Sequence, residues 1–479
     1  MIYIISIFIY LIFLTIIGVR KYNKIQNQND FALAGKNLSS PILLGTMLAT
    51  WIGTGSILGN AGKAYEIGIS AIILPLGGLF GIYVLSIIAP KVKNFNKVTV
   101  PEIIGSKYGK LAQILSLISL IASYMVIVGY QYNAGGIVLN MVFTNDNGLS
   151  LISLETATII TASFIIIYTM LAGLLSVAYT DVANGIIMTI ILIITLPLLW
   201  FESGGLTNIE NNFNQIGKTE NFIFMSNISF LDIINFCLPS FLLVLGDANM
   251  YQRFSASKNI EGLKKATTVL IFAVLFIEIL IILIAWVGSS IIPLTESGRY
   301  IMIYLSYKIL PPLLGSIMLT AIIGIIISTA DSYLLVPANA IINDIFLKYL
   351  KKDLTSKQIV LFSRITVLIL GLIAFYMSNL FSKSTTIFEK ALYAYTIYGV
   401  SITPSLLATF FWKKVTKEGV ISSIISGALT ILLWNNEKLI LSFLPEEVYN
   451  NIDEVIPGII ISSASLILFS LMYKKKIIF

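Results

Sequence analysis

Four acidic residues lie inside apolar stretches of the sequence: Asp181, Asp247, Glu278 and Asp331. A charged side chain at the centre of a membrane-spanning helix costs about 2.5–3.5 kcal/mol on insertion scales, so such residues usually face a cavity and a partner. The ordinary alternative is a carboxylate that reaches the membrane surface or bonds a neighbouring helix. Four such residues therefore indicate internal polar sites that could hold a cation, a proton or a charged solute.

The stretch around Asp331 carries the densest polar group of any apolar segment, with Ser328, Thr329 and Ser332 beside the carboxylate. On a helix, Ser328 and Ser332 lie one turn apart and Thr329 falls on the same strip. Hard cations prefer oxygen ligands, so the strip predicts a sodium site completed by carbonyl groups of an unwound helix. In the alternative reading, each hydroxyl bonds a carbonyl of its own helix.

Two apolar stretches are interrupted by glycine: residues 50–59 (TWIGTGSILG) and residues 246–249 (GDAN), which follow Pro239. Backbone groups freed by such breaks at membrane depth must face protein, water or a ligand, although glycines also occur at close helix contacts. Interrupted helices at matching positions of two halves indicate the central site of a transporter.

The composition excludes an ordinary soluble protein. The 479 residues are 57% hydrophobic and 11% charged, against about 45–50% and about 25% in soluble domains, and the mean hydropathy is +0.90. There is no histidine, which excludes histidine zinc sites, Ser-His triads and imidazole relays. The single cysteine, Cys237, excludes an intrachain disulfide and a cysteine metal cluster.

Apolar stretches of about 20 residues predict thirteen membrane-spanning helices. The predicted spans are 2–19, 41–60, 66–90, 111–138, 152–172, 175–200, 228–251, 266–292, 312–345, 358–378, 387–411, 418–434 and 456–473. The interrupted spans, the second and the seventh, each begin a set of five. Sets with an odd number of spans have opposite topologies, so the sequence predicts an all-α polytopic protein with an inverted five-plus-five repeat.

Basic residues are concentrated in every second loop between the predicted spans, and Arg253 is counted among these loop cations. By the positive-inside rule they place the amino terminus outside and the carboxyl terminus in the cytoplasm. The first span follows Met1 directly, with no basic region before it and no small-residue cleavage site, so we expect a retained helix. The predicted divisions are an extra helix and cytoplasmic loop (1–40), the first repeat (41–200), an external loop (201–227), the second repeat (228–411) and two final helices (412–479).

Several segments resemble the sodium:solute symporter family: residues 250–256 (MYQRFSA), 172–181 (AGLLSVAYTD), 29–40 (NDFALAGKNLSS) and 327–346 (ISTADSYLLVPANAIINDIF). The chain departs from the family pattern at Leu174, where a second glycine is usual. The resemblance implies a LeuT-type fold. It also implies a sodium site made by the carbonyl groups of Ala49, Ile52 and Ile325 and the hydroxyls of Ser328 and Thr329.

Some members of the family bind a second sodium ion, and the resemblance places the corresponding site here at Asp181, Ser328 and Ser332. Asp331 stands where those members carry a hydroxyl, and it could strengthen the site or hold a proton, so the stoichiometry stays open. The resemblance also indicates the solute site. Its expected lining is Trp51, Thr54, Ser56, Gly246, Asp247 and Asn249, with Gln131 and Tyr395 as additions.

Sugars are disfavoured, because Ser56 and Pro75 stand where sugar-transporting members carry glutamine and glutamate. A carboxylate at Asp247 suits the ammonium group of a small zwitterion, which favours an amino acid such as proline over a monocarboxylate or a pantothenate-like acid. In the alternative reading, Asp247 pairs within the protein, with Arg253 or another helix.

These observations predict a sodium-coupled secondary active symporter of the cell membrane, working by alternating access, and not an enzyme. Sodium is the expected coupling ion, without an organic cofactor. The expected partners are a small organic solute and membrane lipid, with no nucleic acid, and a monomer is expected to function. The alternatives are proton coupling and, in another class, an intramembrane aspartyl protease. The protease is disfavoured because residues 244–247 (VLGD) lack the first glycine of its G-x-G-D motif.

Overall fold

The computed structural model describes residues 2–22, 28–95, 97–144, 150–292, 300–349, 354–380 and 385–473, and these form helices joined by loops and turns, without a β-strand. The α-helices of at least seven residues are α1 (Ile2–Tyr22), α2 (Ser40–Trp51), α3 (Ala61–Ile67), α4 (Leu76–Phe95), α5 (Val100–Tyr108), α6 (Lys110–Val142), α7 (Leu154–Glu202), α8 (Leu206–Gln215), α9 (Phe230–Gly246), α10 (Ala248–Ala256), α11 (Ile260–Ile291), α12 (Pro312–Ile341), α13 (Ser356–Ser378), α14 (Ile387–Phe411), α15 (Lys417–Trp434) and α16 (Val455–Met472).

Among the described residues, ten helices are long and apolar enough to cross a membrane, and an eleventh span results if α2 and Gly55–Ile73 are counted together. Helix α7 contains two spans, because Gly173 has φ 61° and ψ 171°, a conformation that only glycine adopts readily. With α1, every predicted span falls on a helical segment. The prediction of an all-α polytopic protein is confirmed, whereas the predicted divisions along the chain stay predictions.

Helix α12 is the most buried of the candidate spans, and α13 and α16 are among the least buried. Helix α12 packs against α1, α6 and α7. A buried polar side chain on such a central helix has little access to water, so it needs a partner on its own helix, on another helix or in a bound ion. The polar strip of α12, from Ser328 to Ser332, lies on this central helix, so the partners of its side chains indicate whether it can bind an ion.

Candidate ion and solute sites

The first predicted break is a true interruption. Helix α2 ends at Trp51, and the chain bends by 47° before it continues from Gly55. The Gly53 amide donates to the Trp51 carbonyl oxygen at 2.8 Å, so the helical bond from Gly53 to the Ala49 carbonyl is replaced. Ile52, with ψ 79°, turns out of the helix and is fully buried. The break thus leaves the carbonyl groups of Ala49 and Ile52 without their regular helical hydrogen bonds, whereas the Ile52 amide still donates to the Leu48 carbonyl at 2.8 Å.

Thr329 on α12 faces this break. A Cβ atom added to Gly53 would lie 3.0 Å from the Thr329 Oγ1 atom and 3.2 Å from its Cγ2 atom. The Thr329 hydroxyl is buried and has no hydrogen-bond partner in the structure. Ile325, one turn earlier on α12, is buried as well. The structure therefore places an unsatisfied oxygen atom of α12 against the break after α2, and the full set of expected sodium ligands stays a prediction.

The other three polar residues of the strip have partners on other helices. Ser328 donates to Asp181 Oδ1, and Asp331 accepts a hydrogen bond from Thr169. Ser332 accepts a hydrogen bond of 2.8 Å from Arg253 Nη2. The strip is therefore divided: Thr329 faces the break, Ser328 and Ser332 face Asp181 and Arg253, and Asp331 faces Thr169.

Asp181 and Arg253 form a fully buried ion pair with 3.5 Å between the Arg253 Nη2 and Asp181 Oδ2 atoms. Asp181 Oδ2 also accepts a hydrogen bond of 2.5 Å from the Thr46 hydroxyl, and Arg253 Nε donates to the same hydroxyl at 3.0 Å. Arg253 is not a loop cation, as the sequence suggested, but lies on α10 inside the protein. Its guanidinium group contacts two of the residues expected at a second ion site.

The second predicted break separates α9 from α10 at Asp247, which has φ −58° and ψ 107°. Asp247 Oδ1 accepts hydrogen bonds from the Tyr124 hydroxyl at 2.5 Å and from the Asn249 amide at 2.9 Å, so the carboxylate caps α10. The Tyr398 hydroxyl donates to the Gly246 carbonyl at 2.8 Å. Asp247 Oδ2 and Asn249 Oδ1 are buried without partners.

The residues expected around the solute separate into two groups. Trp51, Ser56 and Tyr395 line one cavity, together with Asn60, Pro75, Gly78, Phe236, Ser240, Phe388 and Glu278. Thr54 does not line it and donates to Gln131, whose Nε2 atom is buried without a partner. Gly246, Asp247 and Asn249 do not line it either.

Glu278 was outside the expected solute site, although it lies on the cavity wall. It accepts hydrogen bonds from Ser56 Oγ at 2.6 Å and from Asn60 Nδ2 at 3.0 Å. The sequence carried a signal for it, a single acidic residue in the apolar run AVLFIEIL, but its partners lie more than two hundred residues earlier.

An all-helical membrane bundle with two broken helices beside a buried oxygen site and a cavity defines a secondary transporter. The model of the sodium:solute symporter family matches residues 31–427, and the chain belongs to this family. The osmoregulated proline transporter OpuE of Bacillus subtilis is 25% identical over 98% of this chain and 95% of its own. The sodium/proline symporter of Escherichia coli is 24% identical over 97% of this chain and 92% of its own.

Among solved structures, a Na+-coupled sialic acid symporter in a substrate-bound, outward-open state has a TM-score of 0.79 at 15% identity, covering 99% of this chain and 98% of its own. The LeuT-type fold is therefore confirmed. The family also confirms sodium-coupled transport of a solute across a membrane, and excludes the protease reading.

Proposed function

We propose that this protein uses the sodium gradient to import an amino acid such as proline across the cell membrane by alternating access. The observation that carries the proposal is the Thr329 hydroxyl, which is buried without a partner against the break at Gly53. An unsatisfied buried hydroxyl costs about 1–3 kcal/mol, and a bound cation would remove that cost. The proposed sodium ligands are the carbonyl groups of Ala49, Ile52 and Ile325 with the hydroxyls of Ser328 and Thr329.

The position of this ion explains how sodium binding could be coupled to solute binding. Trp51 and Ser56, which line the cavity, flank the break that would hold the ion. An ion that fixes the break relative to α12 would also fix the indole and hydroxyl groups of the solute site. Coupling between two binding sites is reciprocal in free energy, so the solute would equally increase the affinity for sodium.

A second ion at Asp181, Ser328, Asp331 and Ser332 is the part of the earlier expectation that we revise. The Arg253 guanidinium group already contacts Asp181 and Ser332 and compensates the buried carboxylate. We therefore propose one sodium ion per solute. A proton bound at Asp331 is the alternative occupant of this second site, motivated by a buried carboxylate whose hydrogen-bond partner is a neutral hydroxyl, Thr169.

The choice of an amino acid rests on the chemistry of the cavity and on the named relatives, which include proline transporters. Among the residues that the structure describes, the cavity lining contains one carboxylate and no lysine or arginine. A monocarboxylate would meet the carboxylate of Glu278 without a compensating cation on that lining. We place the protein in the plasma membrane as a functional monomer in contact with lipid, with its amino terminus outside and its carboxyl terminus in the cytoplasm.

The proposal is tested by uptake of radiolabelled L-proline into proteoliposomes that contain the purified protein. We expect accumulation with an inward sodium gradient and none with an inward proton gradient in sodium-free buffer. Accumulation driven by the proton gradient alone, without sodium, would contradict the proposed use of the sodium gradient. Sodium-driven uptake of an organic acid with no uptake of amino acids would contradict the choice of solute.

A further inference from the structure

The cavity beside the first break contains a buried charge without a counter-ion. Glu278 is 2% exposed, and its two hydrogen-bond donors, Ser56 and Asn60, are neutral. Within the part of the chain that the structure describes, no lysine or arginine pairs with Glu278. Buried charges are normally paired because desolvation of an isolated ion is costly, so the missing cation is expected to come from outside the chain.

The groups around Glu278 are those that recognise organic cations. Trp51, Tyr395, Phe236 and Phe388 line the same cavity as its carboxylate, and aromatic ring faces attract ammonium and quaternary nitrogen groups. The Trp51 ring is held closely, since a Cβ atom added to Gly78 would lie 2.2 Å from Trp51 Cζ2. The cavity thus combines one carboxylate with aromatic walls, and none of the described residues in its lining is basic.

Lys63, three residues after the cavity residue Asn60, pairs with a residue that does not line this cavity. Lys63 bonds Glu66 at 2.9 Å and lies 5.2 Å from the centre of the Phe236 ring. It lines a neighbouring cavity, which shares Phe388 with the first one. Lys63 therefore does not take the place of the missing cation at Glu278.

We propose that Glu278 is the residue that recognises the solute, by binding its cationic nitrogen. Asp247, the residue that the sequence favoured for this role, does not line the cavity and is bonded to Tyr124 and Asn249. The inference rests on the proposed function only in requiring a transported solute, since it specifies a positively charged nitrogen and not proline. The Ser56 and Asn60 side chains orient the carboxylate.

The experiment compares pairs of compounds that have the same shape with and without a cationic nitrogen. The pairs are L-proline and tetrahydrofuran-2-carboxylate, glycine betaine and 3,3-dimethylbutanoate, and choline and 3,3-dimethylbutan-1-ol. Binding is measured in sodium buffer from the increase in the unfolding temperature of the purified wild-type protein, because a ligand of the folded state raises it by mass action. We expect at least one nitrogen compound to bind roughly ten- to a hundredfold more tightly than its isostere, through a charge-assisted hydrogen bond for the N–H groups of proline or through charge attraction and cation–π contacts for the quaternary nitrogens.

Glu278→Gln should abolish this preference, and Glu261→Gln, an exposed change on the same helix, should retain it. Sodium binding measured without solute should be the same in both variants. A Glu278→Gln protein that keeps the preference would overturn the inference and leave the residue as a bond between helices. If that variant does not fold, the comparison with the wild-type protein decides. The inference is also overturned if the wild-type protein binds none of the nitrogen compounds more tightly than its isostere.

The outcomes separate this inference from the proposed function. Binding of choline without binding of proline or betaine would support the role of Glu278 and contradict an amino-acid solute. Binding of proline and of tetrahydrofuran-2-carboxylate with equal affinity, together with no preference in the other two pairs, would leave the proposed solute intact and refute the role of Glu278.

Discussion

Removing the charge of Asp181 distinguishes an internal ion pair from a second ion site. In the structure, Asp181 Oδ2 is 3.5 Å from Arg253 Nη2, and both side chains are fully buried. Asp181→Asn keeps the size of the side chain and leaves the guanidinium group buried without a carboxylate. If Arg253 takes the place of a second sodium ion, this substitution should reduce stability and leave the sodium-to-solute ratio at one.

The magnitude follows from the geometry. At 3.5 Å and an effective dielectric constant of about 20, the Coulomb attraction is about 5 kcal/mol. Removal of one partner from a buried pair costs about 3–5 kcal/mol, because the other charge is left uncompensated. At about 2 °C or less per kcal/mol in a chain of this length, the unfolding temperature should fall by up to about 10 °C. Asp181→Asn combined with Arg253→Met removes both charges and should recover most of that loss.

The assay has two parts. Thermal unfolding of the wild type, both single variants and the double variant gives the coupling between the two side chains as a double-mutant cycle. The reversal potential of solute transport in proteoliposomes gives the number of sodium ions per solute. A stable Asp181→Asn protein whose ratio falls from two to one would refute the reasoning and restore Asp181 as a ligand of a second ion.

Three further substitutions test other contacts. Thr329→Val should raise the sodium concentration for half-maximal uptake about tenfold or more without loss of stability, because the hydroxyl has no protein partner; an unchanged sodium dependence would remove Thr329 from the ion site. Gly78→Ala should weaken solute binding at least about tenfold by displacing Trp51, whereas Gly185→Ala, with no atom within 4 Å of the added Cβ, should not; equal behaviour would contradict the role of the indole. Asp247→Asn should weaken solute binding by less than about threefold, since its bonds are internal, and a loss of tenfold or more would return Asp247 to the solute site.

The sequence was sufficient for the spans and for both breaks. A stretch of about 20 apolar residues is a physical requirement for crossing the bilayer, and glycines at Gly53 and Gly246 weaken the helix wherever they occur. The strip from Ser328 to Ser332 was visible because helix geometry fixes which of its residues share a face. These features depend on residues close together in the sequence.

The partners of the charged residues could not be predicted in this way. Arg253 reads as a loop cation in a count of basic residues, yet its carboxylate partner is 72 residues earlier. Glu278 and Ser56 are 222 residues apart. Such pairs form because helices from both halves of the chain pack together, and hydrophobic periodicity carries no information on which polar residues then meet. This packing is the reason why Glu278, and not Asp247, is now the candidate for solute recognition.

The central claim is that one sodium ion at the first break orders a cavity in which Glu278 binds the solute. A cryo-electron microscopy map of the protein in saturating sodium and L-proline tests it most directly. We expect ion density in contact with Thr329 Oγ1 and the carbonyl groups at the break, and solute density between Trp51 and Tyr395 with its nitrogen on Glu278. Ion density between Asp181 and Ser332, with Arg253 displaced, or solute density against Asp247, would contradict the account.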